Sequence, residues 1–335
     1  MKCVITADVH LKNWSDKEFD EDGNPIKLIE ILNAFKTVCE YAEKNKIKDV
    51  IIAGDVNDTK EVASVNAFVQ FKKILEDYNN LNFYILHGNH DAVSKDNNKS
   101  AIQLLNGPEN VTTILETTTN LISDFIFVPY SENMVEDIVE AEPCKVMIGH
   151  LGLSEGQLSS GISLQTPISL GNLKKFGVVL LGHYHKPQHL KNTYYCGSLI
   201  PLRRDEMNDE KRFLVLDTDT LEVTSIPITC YRKYVEFIIN DESDNKEILQ
   251  QIKKSQENGD HIIIKKDVKV MPPDFFDLTD IHIIDTYEEE YQIRGIRSSM
   301  EFTDQIVKYM EIEEIPEKDQ ERYLHTVIKA LDSEG

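Results

Sequence analysis

Five short apolar runs divide the first 185 residues of the chain, and a cluster of polar residues closely follows each run. The runs are rich in β-branched residues and show no polar alternation, which is typical of strands buried on both faces. We predict strands at 3–6, 50–53, 83–86, 146–148 and 178–181. The pattern therefore favours an α/β sandwich.

Helical spacing of apolar residues appears between these strands, at Ile26–Asn45 and Val62–Tyr78. Two such helices would cover the sheet. The expected inward positions are Ile29, Leu32, Phe35, Val38 and Ala42 in the first helix, and Val65, Val69, Lys72 and Leu75 in the second. Later strands are predicted at Thr193–Cys196, Arg212–Leu216 and Leu221–Ile228, with a turn at 217–220.

The pattern of apolar and polar residues changes after residue 228. We therefore predict that residues 1–228 form a first domain. Residues 229–295 are predicted to form a small α/β cap. Its elements are a strand at Tyr231–Ile239, a helix at Ser243–Glu257 that Ser243 caps, and a strand at His261–Ile264.

Two amphipathic segments follow in residues 298–335, and Pro316 separates them. They predict a C-terminal helix pair. The apolar stripes contain Phe302, Ile306 and Met310 in Met300–Ile312, and Leu324, Val327, Ile328 and Leu331 in Glu317–Leu331. Such stripes either dock on their own protein or bind a partner, and the pattern leaves both interpretations open.

Length and composition restrict the number of domains and the cellular location that we expect. A chain of 335 residues exceeds one ordinary domain. It contains no run of 18 apolar residues, so we expect no membrane span. The first strand begins near residue 3, so we expect no signal peptide. The five cysteines are widely spaced without a C-x-x-C pair, which favours reduced thiols in a cytoplasmic protein.

The polar clusters after the strands carry the candidate chemistry. They are Asp8-Val9-His10, Gly54-Asp55-Val56-Asn57-Asp58, Gly88-Asn89-His90-Asp91, Gly149-His150 and Gly182-His183-Tyr184-His185. Open α/β folds gather such residues at the carboxyl ends of their strands, and the glycines permit tight turns there. Carboxylate, amide and imidazole groups that converge from separate loops suit hard divalent cations.

These motifs resemble the pattern of the calcineurin-like metallophosphoesterase superfamily, which is D-x-H, G-D-x-x-[DH], G-N-H-[DE], G-H and G-H-x-H. The resemblance implies a metallophosphoesterase β-sandwich flanked by helices, with two divalent metal ions, Mn²⁺ in preference to Mg²⁺. One ion would be held by Asp8, His10, Asp55 and His185. The other would be held by Asp55, Asn89, His150 and His183. Asp55 would bridge two ions that lie about 4 Å apart.

His90 is not a ligand in this assignment, and the resemblance implies a catalytic role for it. A metal-bridging hydroxide would attack the phosphorus, and the departing alkoxide would gain from a proton that His90 supplies. Asp58 matches the family position that orients this histidine, and we expect its carboxylate to favour the imidazolium. Several nuclease members carry histidine at that position.

The order of first domain, cap and helix pair resembles the nuclease subunits of double-strand-break processing complexes, both the bacterial SbcD type and those of large bacteriophages. The resemblance implies a DNA substrate, a homodimer, and an SMC-like ABC ATPase bound by the terminal helices. Tyr195–Leu199 is similar to a glycine-serine turn of these subunits, and Arg203 and Arg204 after it are predicted to contact phosphate. Protein Ser/Thr phosphatases fit less well, because they favour arginine and glutamate where this chain has Thr59 and Asp91.

The charge of the chain argues against DNA binding by this subunit alone. The net charge is −22, and residues 231–335 hold 25 acidic and 14 basic residues, so half of the excess lies there. Because duplex-binding proteins usually show a broad basic surface, we expect a partner to supply most of the DNA affinity. Two alternatives stay open: a stand-alone phosphoesterase for nucleotides or small phosphodiesters, and a non-catalytic scaffold, which the complete ligand set disfavours.

Overall fold

The computed structural model describes most of the chain and divides it into two units, Met1–Lys233 and Tyr234–Gly335. The described residues are 1–14, 19–93, 99–119, 121–240, 242–268, 271–275, 278, 281–285, 292–293, 296–297, 308–310 and 316. The predicted domain boundaries near residues 228 and 298 stay predictions.

The first unit alternates strands and helices in its first half and is mainly strand thereafter. Its elements are β1 Lys2–Thr6, α1 Ile26–Lys44, β2 Asp49–Ile52, α2 Val65–Asp77, β3 Asn82–Leu86, β4 Val111–Ile114, β5 Phe125–Val128, α3 Met134–Glu140, β6 Val146–His150, β7 Val178–Gly182, β8 Gln188–Leu190, β9 Thr193–Tyr195, β10 Arg212–Asp217 and β11 Glu222–Pro227. Every strand predicted in this unit is present. The short elements β4, β5, α3 and β8 were not predicted.

Two sheets form the centre of this unit. One has the strand order β11-β10-β1-β2-β3-β4, and the other has the order β5-β6-β7-β9-β8. Alternate residues of a strand face opposite ways, so Cys3 and Ile5 belong to the core between the sheets while Val4 belongs to the core beneath the helices. Phe127 and Leu180 of the second sheet complete the inner core. The unit is therefore a β-sandwich with helical outer layers, as the sequence predicts.

Helix α2 covers the sheet with a different face from the predicted one. Its buried residues are Ala67, Phe68, Phe71, Ile74 and Leu75. Val65 and Val69 are 76% and 61% exposed, so their assignment to the inward face is wrong. The aromatic rings decide the orientation because they bury more apolar area than valine does, and Phe71 packs 4.6 Å from Phe35 of α1 between ring centroids.

The carboxyl ends of the predicted strands meet at one edge of the sandwich. Strands β1, β2 and β3 are adjacent and parallel in one sheet, and β6 and β7 are adjacent and parallel in the other. Every cluster of predicted ligands follows one of these strands or ends it. The topology therefore delivers all five clusters to the same edge.

The second unit contains a parallel sheet in the order β12-β13-β14. Its strands are β12 Tyr234–Ile239, β13 His261–Lys266 and β14 Ile281–Asp285, its helix is α4 Asn245–Glu257, and β15 Gln292–Ile293 pairs with β16 Ile296–Arg297. The predicted helix is present, but Ser243 is not its cap. Asp244 accepts the backbone N–H groups of Lys246 and Glu247, whereas the Ser243 hydroxyl bonds to Asn240.

The predicted C-terminal helix pair lies almost wholly outside the described residues. Its stripe residues Phe302, Ile306, Leu324, Val327, Ile328 and Leu331 fall there. Residues 308–310 are helical, and Met310 is buried. Among the described residues, no helix combines the length and the apolar character needed to cross a membrane.

The orientation of α2 can be tested by two truncations on opposite faces. Phe71→Ala should lower the free energy of unfolding by about 3–5 kcal/mol, the usual cost of emptying a buried aromatic position. Val69→Ala on the exposed face should change it by less than about 0.5 kcal/mol. Urea denaturation of both variants measures the difference, and equal losses would contradict the assigned faces.

Candidate metal centre

The predicted ligands stand on turns with unusual backbone geometry. Asp8, His10, Asp55 and His183 all have positive φ angles, of 53°, 54°, 52° and 101°. Non-glycine residues rarely adopt this left-handed region, and each instance costs of the order of 1–3 kcal/mol. Four such residues at one edge of a sandwich indicate that the fold has been shaped around a functional site.

A first group of ligand atoms contains Asp8, His10 and His185, which lie within 4.8 Å of one another. The Nε2 atoms of His10 and His185 are 3.0 Å apart. The Asp8 carboxylate also accepts the backbone N–H of His183, at 3.0 Å from Oδ1. Asp8 and His10 are buried, so water does not surround these polar atoms.

A second group contains Asp55, His150 and His183, also within 4.8 Å of one another. Asn89 joins it, since its Oδ1 lies 3.0 Å from His150 Nε2 and 2.9 Å from His183 Nδ1. Asp55 Oδ2 lies 3.2 Å from His150 Nε2 and 3.8 Å from His10 Nε2. Asp55 therefore stands between the two groups, in the place predicted for a bridging ligand.

These atoms suit divalent cations in type and in placement. Carboxylate oxygens, an amide oxygen and imidazole nitrogens converge within 4.8 Å in each group, and hard or borderline cations bind this donor set. Burial raises the pKa of the Asp8 carboxyl. Burial and the neighbouring His150 lower the pKa of His183 to about 3, which leaves its ring neutral and able to act as a ligand.

The pKa of His150 is shifted in the opposite direction from that of His183. Although burial opposes it, the Asp55 carboxylate raises the pKa of His150 to about 9. The Asp55 carboxylate thus favours a proton on this ring, and a cation that binds its Nε2 has to compete with that proton. Its Nδ1 lies 2.8 Å from the carbonyl oxygen of Ala53, so Nε2 is the atom that faces the group.

Glycine is required at two turns of the site. A Cβ at Gly88 would lie 2.2 Å from Asp55 Oδ1, and a Cβ at Gly54 would lie 2.3 Å from His150 Nδ1. Gly54 also has a φ of 89°. Both glycines allow a backbone turn to press directly against a predicted ligand, as the sequence analysis expected.

His90 is held by Asp58, but through a different atom from the expected one. The His90 Nδ1 lies 2.5 Å from the backbone carbonyl oxygen of Asp58. The Asp58 carboxylate instead approaches Nδ1 of His10 at 3.3 Å and accepts a hydrogen bond from Lys12 at 2.7 Å. Asp58 therefore contacts His90 through its carbonyl oxygen, whereas the sequence predicts that its carboxylate orients this ring.

Asp91 is a buried residue whose contribution the sequence analysis did not identify. Its Oδ1 accepts the backbone N–H of Asn57 at 2.7 Å, and its Oδ2 accepts the backbone N–H of Gly88 at 2.8 Å. Burial and the nearby Asp55 carboxylate raise the pKa of Asp91 to about 8. Asp91 thus ties the turn after β2 to the turn after β3, and these two turns carry Asp55 and Asn89.

Glu206 was also missed. Its Oε1 lies 2.8 Å from Nδ1 of His185, on the side of the ring opposite to His10. Glu206 stands in the stretch Asp205–Lys211, which reads from sequence as a solvated loop because nearly every residue in it is polar. A three-residue 3₁₀ turn at Arg204–Glu206 brings it inward.

The predicted phosphate contacts and three further histidines lie outside the two groups of ligands. Arg203 and Arg204 are exposed at the start of that 3₁₀ turn, and their contact with phosphate stays a prediction. His189 and His282 are exposed, and His261 is half-buried against Tyr234. His325 lies outside the described residues.

The chain is similar to a protein family and to several known proteins. The sequence matches the family profile described as calcineurin-like phosphoesterase over residues 1–187, which include every predicted ligand. It is similar to the SbcD subunit of the SbcCD nuclease of Staphylococcus epidermidis, with 27% identity and 77% of each chain covered. It is also similar to exonuclease subunit 1 of Enterobacteria phage T4, with 26% identity and 68% of each chain covered. A dimetal phosphatase from Danio rerio aligns at 11% identity and a TM-score of 0.41, covering 68% of this chain and 99% of that chain.

Replacing Asp55, which lies between the two groups of ligands, should weaken metal binding by both groups. We expect Asp55→Asn to reduce the Mn²⁺ content from two ions per chain to one or none, because the amide loses the negative charge shared by the groups. Asp49→Asn, at the other end of β2, is the matched control and should keep two ions. Metal analysis after equilibration and desalting decides, and full occupancy in Asp55→Asn would contradict the bridging position.

Proposed function

The chain belongs to the calcineurin-like phosphoesterase family, and we propose that within this family it is the two-metal DNA nuclease subunit of a complex that processes DNA ends. The observation that carries the proposal is the convergence of two ligand groups on Asp55. Hydrolysis of phosphate esters follows from the family. The DNA substrate, the partner and the role in repair or recombination are the proposal.

In this proposal Asp8, His10, Asp55 and His185 hold one divalent ion, and Asp55, Asn89, His150 and His183 hold the other. When bound, such ions polarise a phosphoryl group and lower the pKa of water. The chain contributes a largely buried set of donors, in which backbone N–H groups hold the Asp8 and Asp55 carboxylates and the Ala53 carbonyl oxygen holds the His150 ring. Mn²⁺ is the proposed ion, because this mixed nitrogen and oxygen donor set suits it better than Mg²⁺.

We assign proton donation to His90. Its Nδ1 is engaged by the Asp58 carbonyl oxygen, which can only accept, so the proton on that side stays in place. Nε2 is then the atom that can release a proton to the departing alkoxide. The His90 backbone N–H donates to Asp55 Oδ1 at 2.8 Å, which fixes the residue beside the proposed bridging ligand.

Support for DNA as the substrate comes from the relatives. A nuclease subunit and an exonuclease subunit each align over two thirds or more of both chains. Each is named as a subunit, which supports a partner for this chain too. The proposed partner is an SMC-like ABC ATPase bound by residues 298–335, in a cytoplasmic complex of a bacterium or phage-infected host, with a homodimer of this chain.

The acidic charge of the chain supports a complex in which this chain cleaves DNA and a partner binds it. With a net charge of −22, the chain itself repels the DNA backbone, and a partner with a basic surface would bring the substrate to the site. Arg203 and Arg204 are the proposed local phosphate contacts. One observation favours the stand-alone phosphoesterase instead: Met310, a stripe residue of the tail, is already buried within this chain.

Replacing His90 should separate metal binding from turnover. We expect His90→Asn to keep two Mn²⁺ ions and to lose about 10²–10⁴-fold in kcat on DNA, because the alkoxide leaving group no longer receives a proton. The loss should shrink on bis(p-nitrophenyl) phosphate, whose leaving group needs no proton. His189→Asn, an exposed control, should behave as the intact protein does. Near-normal cleavage of DNA by His90→Asn would overturn the assigned role.

The proposed function predicts that cleavage depends on both a metal and a partner. We expect the intact chain to hydrolyse bis(p-nitrophenyl) phosphate with Mn²⁺ and to lose this activity in a chelator. Linear duplex DNA should be cut weakly by the chain alone and efficiently after addition of the SMC-like ABC ATPase from the same genome with ATP. Product analysis on gels measures both reactions.

A chain that lacks residues 298–335 should be assayed beside the intact chain in the same two reactions. The shortened chain should still hydrolyse the small phosphodiester but no longer bind the ATPase or show ATP-dependent cleavage. If the shortened chain aggregates while the intact chain binds no ATPase, the tail packs on its own protein. The stand-alone phosphoesterase would then be the better account.

A further inference from the structure

A buried ion pair lies directly behind one of the proposed ligands. Lys211 is fully buried and Glu206 is 1% exposed, and Lys211 Nζ lies 2.7 Å from Glu206 Oε2. Lys and Glu are almost never this deeply buried unless they are paired. Burying an ion pair brings little or no net stability, so stability alone does not account for its presence here.

The two carboxylate oxygens of Glu206 have separate tasks. Around Oε2 gather Lys211 Nζ, the Ser198 hydroxyl at 2.9 Å and the backbone N–H of Leu202 at 3.1 Å. Oε1 faces Nδ1 of His185 at 2.8 Å. The carboxylate is therefore anchored through one oxygen and presents the other to the ring.

We propose that Glu206 is a positioning residue, which holds the proton of His185 on Nδ1 and so directs the Nε2 lone pair toward Asp8 and His10. A carboxylate paired with a buried lysine can only accept hydrogen bonds, so Nδ1 of His185 must donate. The Nε2 atom of His185 then carries no proton, and its lone pair can bind a cation. This atom lies 3.0 Å from His10 Nε2. The inference rests on the proposed metal site and extends it to a residue outside the ligand set.

Lys211 reinforces the same arrangement from the backbone side. Besides Glu206, its Nζ donates to the carbonyl oxygen of His185 at 3.2 Å and to the Ser198 hydroxyl at 2.9 Å. The backbone N–H of Ser198 donates to the same His185 carbonyl at 3.2 Å. His185 is thus held at its ring and at its backbone by one network. A carboxylate behind a ligand imidazole also raises the basicity of the coordinating nitrogen.

The experiment compares the intact protein with Glu206→Gln and with the pair Glu206→Gln plus Lys211→Met. The single variant leaves Lys211 buried without its counter-charge and can be unstable, whereas the pair removes both charges at similar volume and should fold. A carboxamide can donate as well as accept, so it no longer dictates the His185 tautomer. Glu30→Gln is the matched control, because Glu30 pairs with Arg232 away from the predicted ligands.

Two measurements that do not depend on turnover test the role. Calorimetric titration with Mn²⁺ should show one of the two ions bound about 10–100-fold more weakly in the double variant, and unchanged binding in Glu30→Gln. Long-range ¹H–¹⁵N spectra of the metal-free protein should show His185 protonated on Nδ1 in the intact chain and a mixture of tautomers in the double variant.

The outcomes separate this inference from the proposed function. If the intact protein binds two Mn²⁺ ions and the folded double variant binds them equally well with an unchanged tautomer, Glu206 is structural and the metal site stands. If the intact protein binds no Mn²⁺, the metal site fails and the positioning role fails with it.

Discussion

The rest of the site depends on two buried carboxylates at one edge of the sandwich, because their negative charge has to be compensated. Asp8 and Asp55 are 0% and 2% exposed, and an uncompensated buried carboxylate costs several kcal/mol. The surrounding imidazoles offset part of this charge, and two divalent cations would offset the rest. The left-handed turns, the contact between Gly88 and Asp55, and the hydrogen bonds from backbone N–H groups to both carboxylates all serve to hold that charge in place.

The sandwich satisfies this requirement because its two sheets contribute from opposite sides. Asp8 and Asp55 follow β1 and β2 of one sheet, whereas His150 and His183 end or follow β6 and β7 of the other. The strands share an inner core, so their ends keep fixed positions relative to one another. Each turn that carries a ligand begins directly at the end of one of these strands, so the rigid sheets limit how far the ligand can move.

Much of this arrangement was predictable from sequence, because apolar runs mark buried strands and the polar clusters after them must converge. The inward face of α2 was not, since its helical spacing contains both a valine stripe and a phenylalanine stripe, and the packing of the larger rings decided between them. Asp58 was correctly placed beside His90, but sequence cannot tell a carbonyl from a carboxylate contact. Glu206 carries no motif, and its burial follows from a 3₁₀ turn.

The most direct test of the central claim is a crystal structure of the protein with Mn²⁺, with anomalous scattering used to locate the ions. The account predicts two anomalous peaks about 4 Å apart, one on each side of the Asp55 carboxylate, in contact with the two groups of ligands. A single peak, or peaks that Asp55 does not touch, would contradict it.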